Sequence, residues 1–326
     1  MLRSCIRAID CEQAAHVTGI SVGKFQDPRV TARGDRRAIV ALRALETLWF
    51  NTGTLCNITC ANCYIESSPG NDRLAYISVA DVRSYLDEIA RDRLPTRLIG
   101  FTGGEPFLNR DLPAMLAEVL SRGFDALVLT NAMKPMRNAS KALLALRAQY
   151  GEHLTIRVSL DHYRPAIHET ERGPRSFART LDGLRWLAAE GFRLHVATRR
   201  LSAEPEPSLR AGFSRLFAEH AIPIDAGDPV ALMILPEMDP LRDVPEITEG
   251  CWSILNKSPD SVMCSNARMI VKRRDATSPV VLACTLLPYD GRFELGATLA
   301  EAARPVPLNH PYCASFCVLG GGACSR

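Results

Sequence analysis

Three thiols, Cys56, Cys60 and Cys63, stand at i, i+4 and i+7 in the short polar stretch Cys-Asn-Ile-Thr-Cys-Ala-Asn-Cys-Tyr. A loop has to wrap only once to bring thiolates at that spacing to one corner of a metal cluster. Three ligands are one short of a closed site, because structural zinc and ferredoxin-type clusters normally take four protein ligands. The spacing therefore suits an iron–sulfur cluster with one open metal position, at which a substrate or cofactor binds directly. An incomplete zinc knuckle is the alternative that the same thiols allow.

A second group with chemical content is Gly103-Gly104-Glu105-Pro106. Glycines lack a Cβ and let backbone carbonyls approach a ligand closely, and a carboxylate accepts hydrogen bonds from an ammonium group. The CxxxCxxC spacing, the aromatic Tyr64 after it and the downstream GGE together resemble the signature of the radical S-adenosylmethionine (SAM) enzymes. The resemblance implies a [4Fe-4S] cluster on Cys56, Cys60 and Cys63 whose fourth iron chelates the amino and carboxylate groups of SAM. It implies reductive cleavage of SAM to methionine and a 5′-deoxyadenosyl radical, which abstracts a substrate hydrogen atom. It also assigns Gly103, Gly104 and Glu105 to the SAM amino group. Ser159, Asp161 and Arg172 fall to its ribose hydroxyls and methionyl carboxylate, and Asn131 to the end of a third strand. A fifth-strand glycine motif is not evident in Leu194-His195-Val196-Ala197-Thr198, which leaves Tyr64 as the nameable wall of an adenine pocket. Ser, Asp and Asn at strand ends also cap turns, and that simpler reading stays open for each.

Six of the eleven cysteines follow residue 250, and none lies between Cys63 and Cys251. Cys264, Cys284, Cys313, Cys317 and Cys324, with the flexible Gly320-Gly321-Gly322, resemble the SPASM or Twitch extension of radical SAM enzymes. In that comparison Cys264 and Cys284 flank a β-hairpin, and Cys313 with Cys317 or Cys324 completes one auxiliary [4Fe-4S] cluster. Two departures are Pro279, where the extension usually has glycine, and a terminal C-x3-C in place of C-x2-C. Zinc is the competing metal, because thiolates serve both. Cys251 is a leftover ligand, a thiol hydrogen donor to a product radical (its catalytic reading) or inert. Cys5 and Cys11 read as ordinary thiols, and His310 as a surface histidine, with a ligand to the tail's metal as its alternative.

The elements that must position these groups alternate between strand and helix patterns, which predicts a parallel α/β sheet. Strands are expected at 44–51, 98–102, 126–129, 154–160, 192–197 and 230–235. Ser78 with Asp81 three residues on forms a capping box for a helix carrying Val79, Val82, Leu86 and Ile89. Asp111 is expected to cap a helix ending near Gly123, and Ser176 to open one closed by Gly191. Six such units match the partial (β/α)6 TIM-like barrel that the resemblance implies, with a small C-terminal iron–sulfur-binding extension; a closed eight-stranded barrel is the runner-up. The expected organisation is a loose lead-in over 1–40 with a short helix, the barrel over 41–240 and a cluster-binding tail over 241–326.

Composition narrows the class further. The 326 residues are 47% hydrophobic and 23% charged, normal for a globular protein, and the formal charge of +3 argues for neither nucleic acid nor a membrane surface. Lys257, Lys272, Arg273 and Arg274 read as a solvated basic face. The N-terminus has no apolar signal core, so a cytoplasmic enzyme is expected, with its many cysteines kept as metal ligands or thiols. The expected partners are a reductant such as flavodoxin or ferredoxin and a peptide or small-molecule substrate. The stretch before the first strand looks too short for a leader-binding module. The non-enzymatic alternative is an iron–sulfur electron-transfer or zinc-binding structural protein.

Overall fold

The computed structural model describes residues 23–239 and 241–322. Its strands in chain order are β1 (Ile39–Val40), β2 (Thr47–Asn51), β3 (Leu98–Thr102), β4 (Asp125–Thr130), β5 (Leu154–Ser159), β6 (Arg193–Arg199), β7 (Leu232–Leu235), β8 (Ala267–Val271), β9 (Val280–Leu282), β10 (Glu294–Gly296) and β11 (Val306–Pro307). Helices α1 (Val79–Asp92), α2 (Leu112–Ser121), α3 (Ser140–Tyr150), α4 (Pro165–Arg172), α5 (Ser176–Ala189) and α6 (Glu206–Glu219) form the crossovers between β2 and β7. These six strands pair in parallel, each with the next in sequence. The sheet begins at β10 and ends at β7 without closing, so it is an open partial barrel and the eight-stranded alternative is not formed.

Alternation along β2 divides the interior, since successive side chains of a strand point to opposite faces. Leu48 and Phe50 join the large core beneath the helices, whereas Trp49 joins Leu127, Met269, Val271 and Leu282 on the other face. Gly100 on β3 leaves room for the Trp49 indole, which a Cβ there would overlap.

Two expectations change here. The tail does continue the sheet: β8, all five residues buried, pairs in parallel with the free edge of β2, and β9 and β10 extend it antiparallel. A buried edge of unpaired amides and carbonyls is costly, and β8 removes it for β2. The lead-in is also not loose over 23–40. Arg37, fully buried, pairs with Glu246 at 2.5 Å, and β1 pairs with β11. The rest of the lead-in, with its expected helix, Cys5 and Cys11, lies outside the described residues. The basic residues are engaged rather than merely solvated: Lys272 with Asp81, Arg273 with Glu294, Arg274 with Asp72, and Lys257 with the Val318 carbonyl. Among the described residues no helix is long and apolar enough to cross a membrane.

The two caps behave differently. Ser78 accepts from Asp81 N at 3.1 Å while Asp81 accepts from Ser78 N at 2.9 Å, closing the box. Asp111 stands at the start of α2 but makes no capping bond. Its backbone is already helical, so its carboxylate is not presented to the first-turn amides as an extended N-cap would present it; Asn109 accepts the Asp111 N–H instead. Ser78→Ala is expected to cost about 1 kcal/mol in urea unfolding, and Asp111→Ala much less.

Candidate metal centre and cofactor site

The cysteine loop leaves the C-terminal end of β2 and is laced at once to the loop after β3. Gly104 N donates to Gly53 O at 2.9 Å and Glu105 N to Leu55 O at 3.0 Å. Gly103 has φ +145°, and a Cβ on Gly104 would overlap the Leu55 carbonyl. The glycine pair is thus required by the close approach of two backbones, and its immediate neighbour is the stretch that leads into Cys56.

All eight described cysteines are free thiols, with Cys56 buried and Cys60 and Cys63 half-buried. Burial pushes the Cys56 thiol up to about 12, and Glu105, Cys60 and Cys63 push the same way. Burial also raises Cys60, opposed by the Arg172 guanidinium, with Cys63 adding to the rise. The three thiols therefore act on one another across a shared volume. Among the described residues no three His, Cys, Asp or Glu side chains converge as a chelate for a single ion. A four-iron cubane takes each thiolate on a different iron, so its ligands face a common volume rather than meet at a point. Three mutually acting, unbridged thiols on one loop fit that group.

Glu105 sits behind this loop, 2% exposed. Its carboxylate accepts from Thr130 Oγ1 at 2.8 Å, Asn131 N at 2.9 Å and Phe107 N at 3.2 Å. Burial pushes it up to about 7 against the pull of those donors. Asn131 is likewise held from within: Nδ2 donates to Asn57 Oδ1 at 2.9 Å, Oδ1 accepts from Met133 N, and its carbonyl accepts from Thr180. The two residues read as braces that tie the cysteine loop to the end of β4. Ser159 lies half-buried at the end of β5, and Tyr64 packs half-buried against the main core.

A buried charge cluster flanks the other side. Asp161 receives Arg172 Nε at 2.6 Å and Arg199 Nη2 at 3.1 Å, and Arg199 Nη2 also lies 2.5 Å from Glu171 Oε1. Burial alone would raise Asp161, but the two guanidiniums override it and hold the carboxyl below its usual range. Arg172 is held above the usual arginine value: burial pulls it down, but Asp161, Cys60 and Cys63 outweigh that. His168, lowered to about 4 mainly by burial, accepts the Asp161 N–H on Nδ1.

Glu171 and Arg199 were not legible as site residues, yet they grip the cysteine loop directly. Glu171 accepts Asn62 N at 2.8 Å and Asn62 Nδ2 at 3.0 Å, its carbonyl accepts Ala61 N at 2.8 Å, and Arg199 Nη1 donates to Asn62 O at 3.2 Å. The faint signal was position: Glu171 adjoins Arg172, and Arg199 ends β6.

In the tail, Cys264 and Cys284 flank the antiparallel β8–β9 hairpin as expected. Burial pushes Cys264 up to about 11 and Cys313 up to about 12, Cys264 adding to the latter. Cys313 and Cys317 share a π-helical turn, Cys313–Leu319; Cys324 lies outside the described residues. Cys251 is buried in the core, its sulfur 3.3 Å from Thr248 Oγ1. His310 is half-buried rather than on the surface: it stands edge-on to Phe293 and Tyr312, and burial pulls it down to about 4.

Glu171→Ala is expected to cost ~3 kcal/mol, because it removes one of two carboxylates facing the buried Arg199. Iron retained on gel filtration should fall with it, as the loop loses the two bonds from Asn62 to the carboxylate. Urea unfolding and iron assay check both.

Residues 50–199 match the family model of the radical SAM superfamily. The chain is 32% identical over 143 residues to the antilisterial bacteriocin subtilosin biosynthesis protein AlbA of Bacillus subtilis, covering 44% of this chain and 30% of that protein. It is 27% identical over 145 residues to Fe-coproporphyrin III synthase of Methanosarcina barkeri, covering 44% and 34%. It spans about a third of the length of each of these two relatives. Among solved structures, Streptococcus suis SuiB bound to its precursor peptide SuiA superposes with a TM-score of 0.58 at 13% identity, over 79% of this chain and 63% of that one, a likeness of fold. A radical SAM domain thus spans residues 50–199, with the cysteine loop at the C-terminal rim of the partial barrel.

Proposed function

We propose that this protein is a radical SAM enzyme that oxidatively modifies a peptide or small molecule, a maturase or related oxidoreductase of the cytoplasm. Cys56, Cys60 and Cys63 would hold the cluster, which would supply the electron for reductive cleavage of SAM and so the means to abstract a hydrogen atom from the substrate. The observation that carries the reading is the three mutually acting thiols on a loop braced by Glu105 and Asn131 on one side and by Glu171 and Arg199 on the other.

Each neighbouring residue has a part in it. Gly103 and Gly104 let the two rim loops meet, which exposes backbone carbonyls beside Cys56 for an ammonium group. Glu105 adds negative potential there; its action on Cys56 supports this. Arg172 suits the methionyl carboxylate, and what supports it is that this cation acts on both Cys60 and Cys63. Asp161 holds Arg172 in place, and Ser159 and Tyr64 border the same rim. The low-potential electron comes from a reductant such as flavodoxin or ferredoxin.

The tail is proposed to hold an auxiliary [4Fe-4S] cluster on Cys264, Cys284 and Cys313 with Cys317 or Cys324, as in SPASM and Twitch extensions. A peptide substrate is supported by the bacteriocin and precursor-peptide relatives, and a small molecule by the coproporphyrin relative.

Anaerobic reconstitution should give about eight irons per chain for two four-iron clusters, and 5′-deoxyadenosine on reduction with SAM. Cys60→Ala should lose roughly half of that iron and all of the 5′-deoxyadenosine. Zinc in place of iron, or intact SAM in a fully loaded sample, would overturn the proposal.

A further inference from the structure

The tail contains a buried cation that no carboxylate among the described residues answers. Arg268, 1% exposed on β8, donates through Nε to Ala302 O at 2.9 Å and through Nη1 to Cys264 O at 2.7 Å and Ala267 O at 2.8 Å; Nη2 donates to Arg304 O at 3.3 Å. All four acceptors are neutral carbonyls. Among the described residues no carboxylate comes within ion-pair distance of it, whereas buried Arg37 has Glu246, and Arg172 and Arg199 share Asp161. The acidic groups that act on Arg268 are the Cys264 and Cys284 thiols.

A guanidinium taken out of water without an anion is strongly destabilising, and carbonyl dipoles offset only part of that cost. Neutral thiols supply no charge. Thiolates do, and a metal is what keeps buried thiols deprotonated. Cys264 precedes β8, which carries the arginine, and its carbonyl accepts Arg268 Nη1; Cys284 follows β9, which pairs with β8. Cys313 lies on the terminal π-helical turn, and Cys264 acts on its thiol.

We propose that Arg268 is the built-in counter-charge of the tail's thiolate-bound cluster and sets its reduction potential. The inference rests on the auxiliary-cluster reading above. A fixed positive charge stabilises the more negative, reduced form of a cluster, so Arg268 raises its midpoint potential. This gives the tail centre a higher potential than the same ligands alone would confer, which suits an acceptor of the electron left on a substrate-derived radical. Held on these cysteines, the cluster would supply a one-electron acceptor for that radical, whose oxidation would also release a proton to solvent, and Arg268 would offset the negative charge the cluster gains.

The test uses the full chain with Cys56, Cys60 and Cys63 all changed to alanine, so that iron reports on the tail alone. Potentiometric titration followed by electron paramagnetic resonance should show Arg268→Gln shifted to a more negative midpoint at unchanged iron content. Arg268→Lys, which keeps the charge, should stay close to the parent. If Arg268→Gln loads no iron while Arg268→Lys loads iron at the parent potential, the charge requirement still stands. An unchanged midpoint in Arg268→Gln overturns the proposal, as does a lysine variant shifted as far as the glutamine one. A parent that binds no iron also overturns it, by removing the anion; 5′-deoxyadenosine formed by the unsubstituted chain would then leave the front site standing.

Discussion

The position of the three front thiols depends on bonds that come from elsewhere in the fold. The segment from Gly53 to Ile65 contains neither a helix nor a regular strand, so it has no ladder of its own to hold it. It is held by backbone bonds to the loop after β3, by the Asn57–Asn131 bond at the end of β4, and by Glu171 and Arg199 at α4 and β6. Tyr289 of the tail adds a bond to Ile65 O at 2.8 Å. Rigid strands ending at one rim supply these contacts, which is how an irregular loop can carry ligands with fixed geometry.

Charge is arranged by the same economy of partners. Two arginines and two carboxylates meet behind the front loop, so that no member of the set is buried alone. Leaving one member of such a group unpaired is far more costly than leaving out the group as a whole. This makes the contrast with Arg268 informative: among the described residues no carboxylate pairs with it, and its partners are backbone carbonyls.

The sheet joins the two thiol regions physically. β8 lies directly on β2, so the strand that leads into Cys56 and the strand that carries Arg268 share a ladder. The barrel and tail are therefore one hydrogen-bonded sheet across the boundary near residue 240, even though the cysteine distribution separates them.

Local patterns made several features legible. Thiol spacing, the glycine pair and the Ser78–Asp81 box depend on neighbours within a few residues, and the six parallel strands announce themselves by apolar runs that end in polar residues. Helix α3 was not legible because only Leu143 and Leu146 are buried, too few for an apolar stripe. The Glu171–Arg199 grip, the full internal engagement of Asn131, the seating of β8 beside β2 and the burial of His310 and Arg268 were decided by tertiary structure. Each is a meeting of residues distant in sequence, and the stabilisation arises from desolvation and pairing after the sheet has formed. Residue order carries no direct record of which side chain will find which partner there, and for that reason the chain alone pointed to candidate ligands while the fold identified what holds their loop.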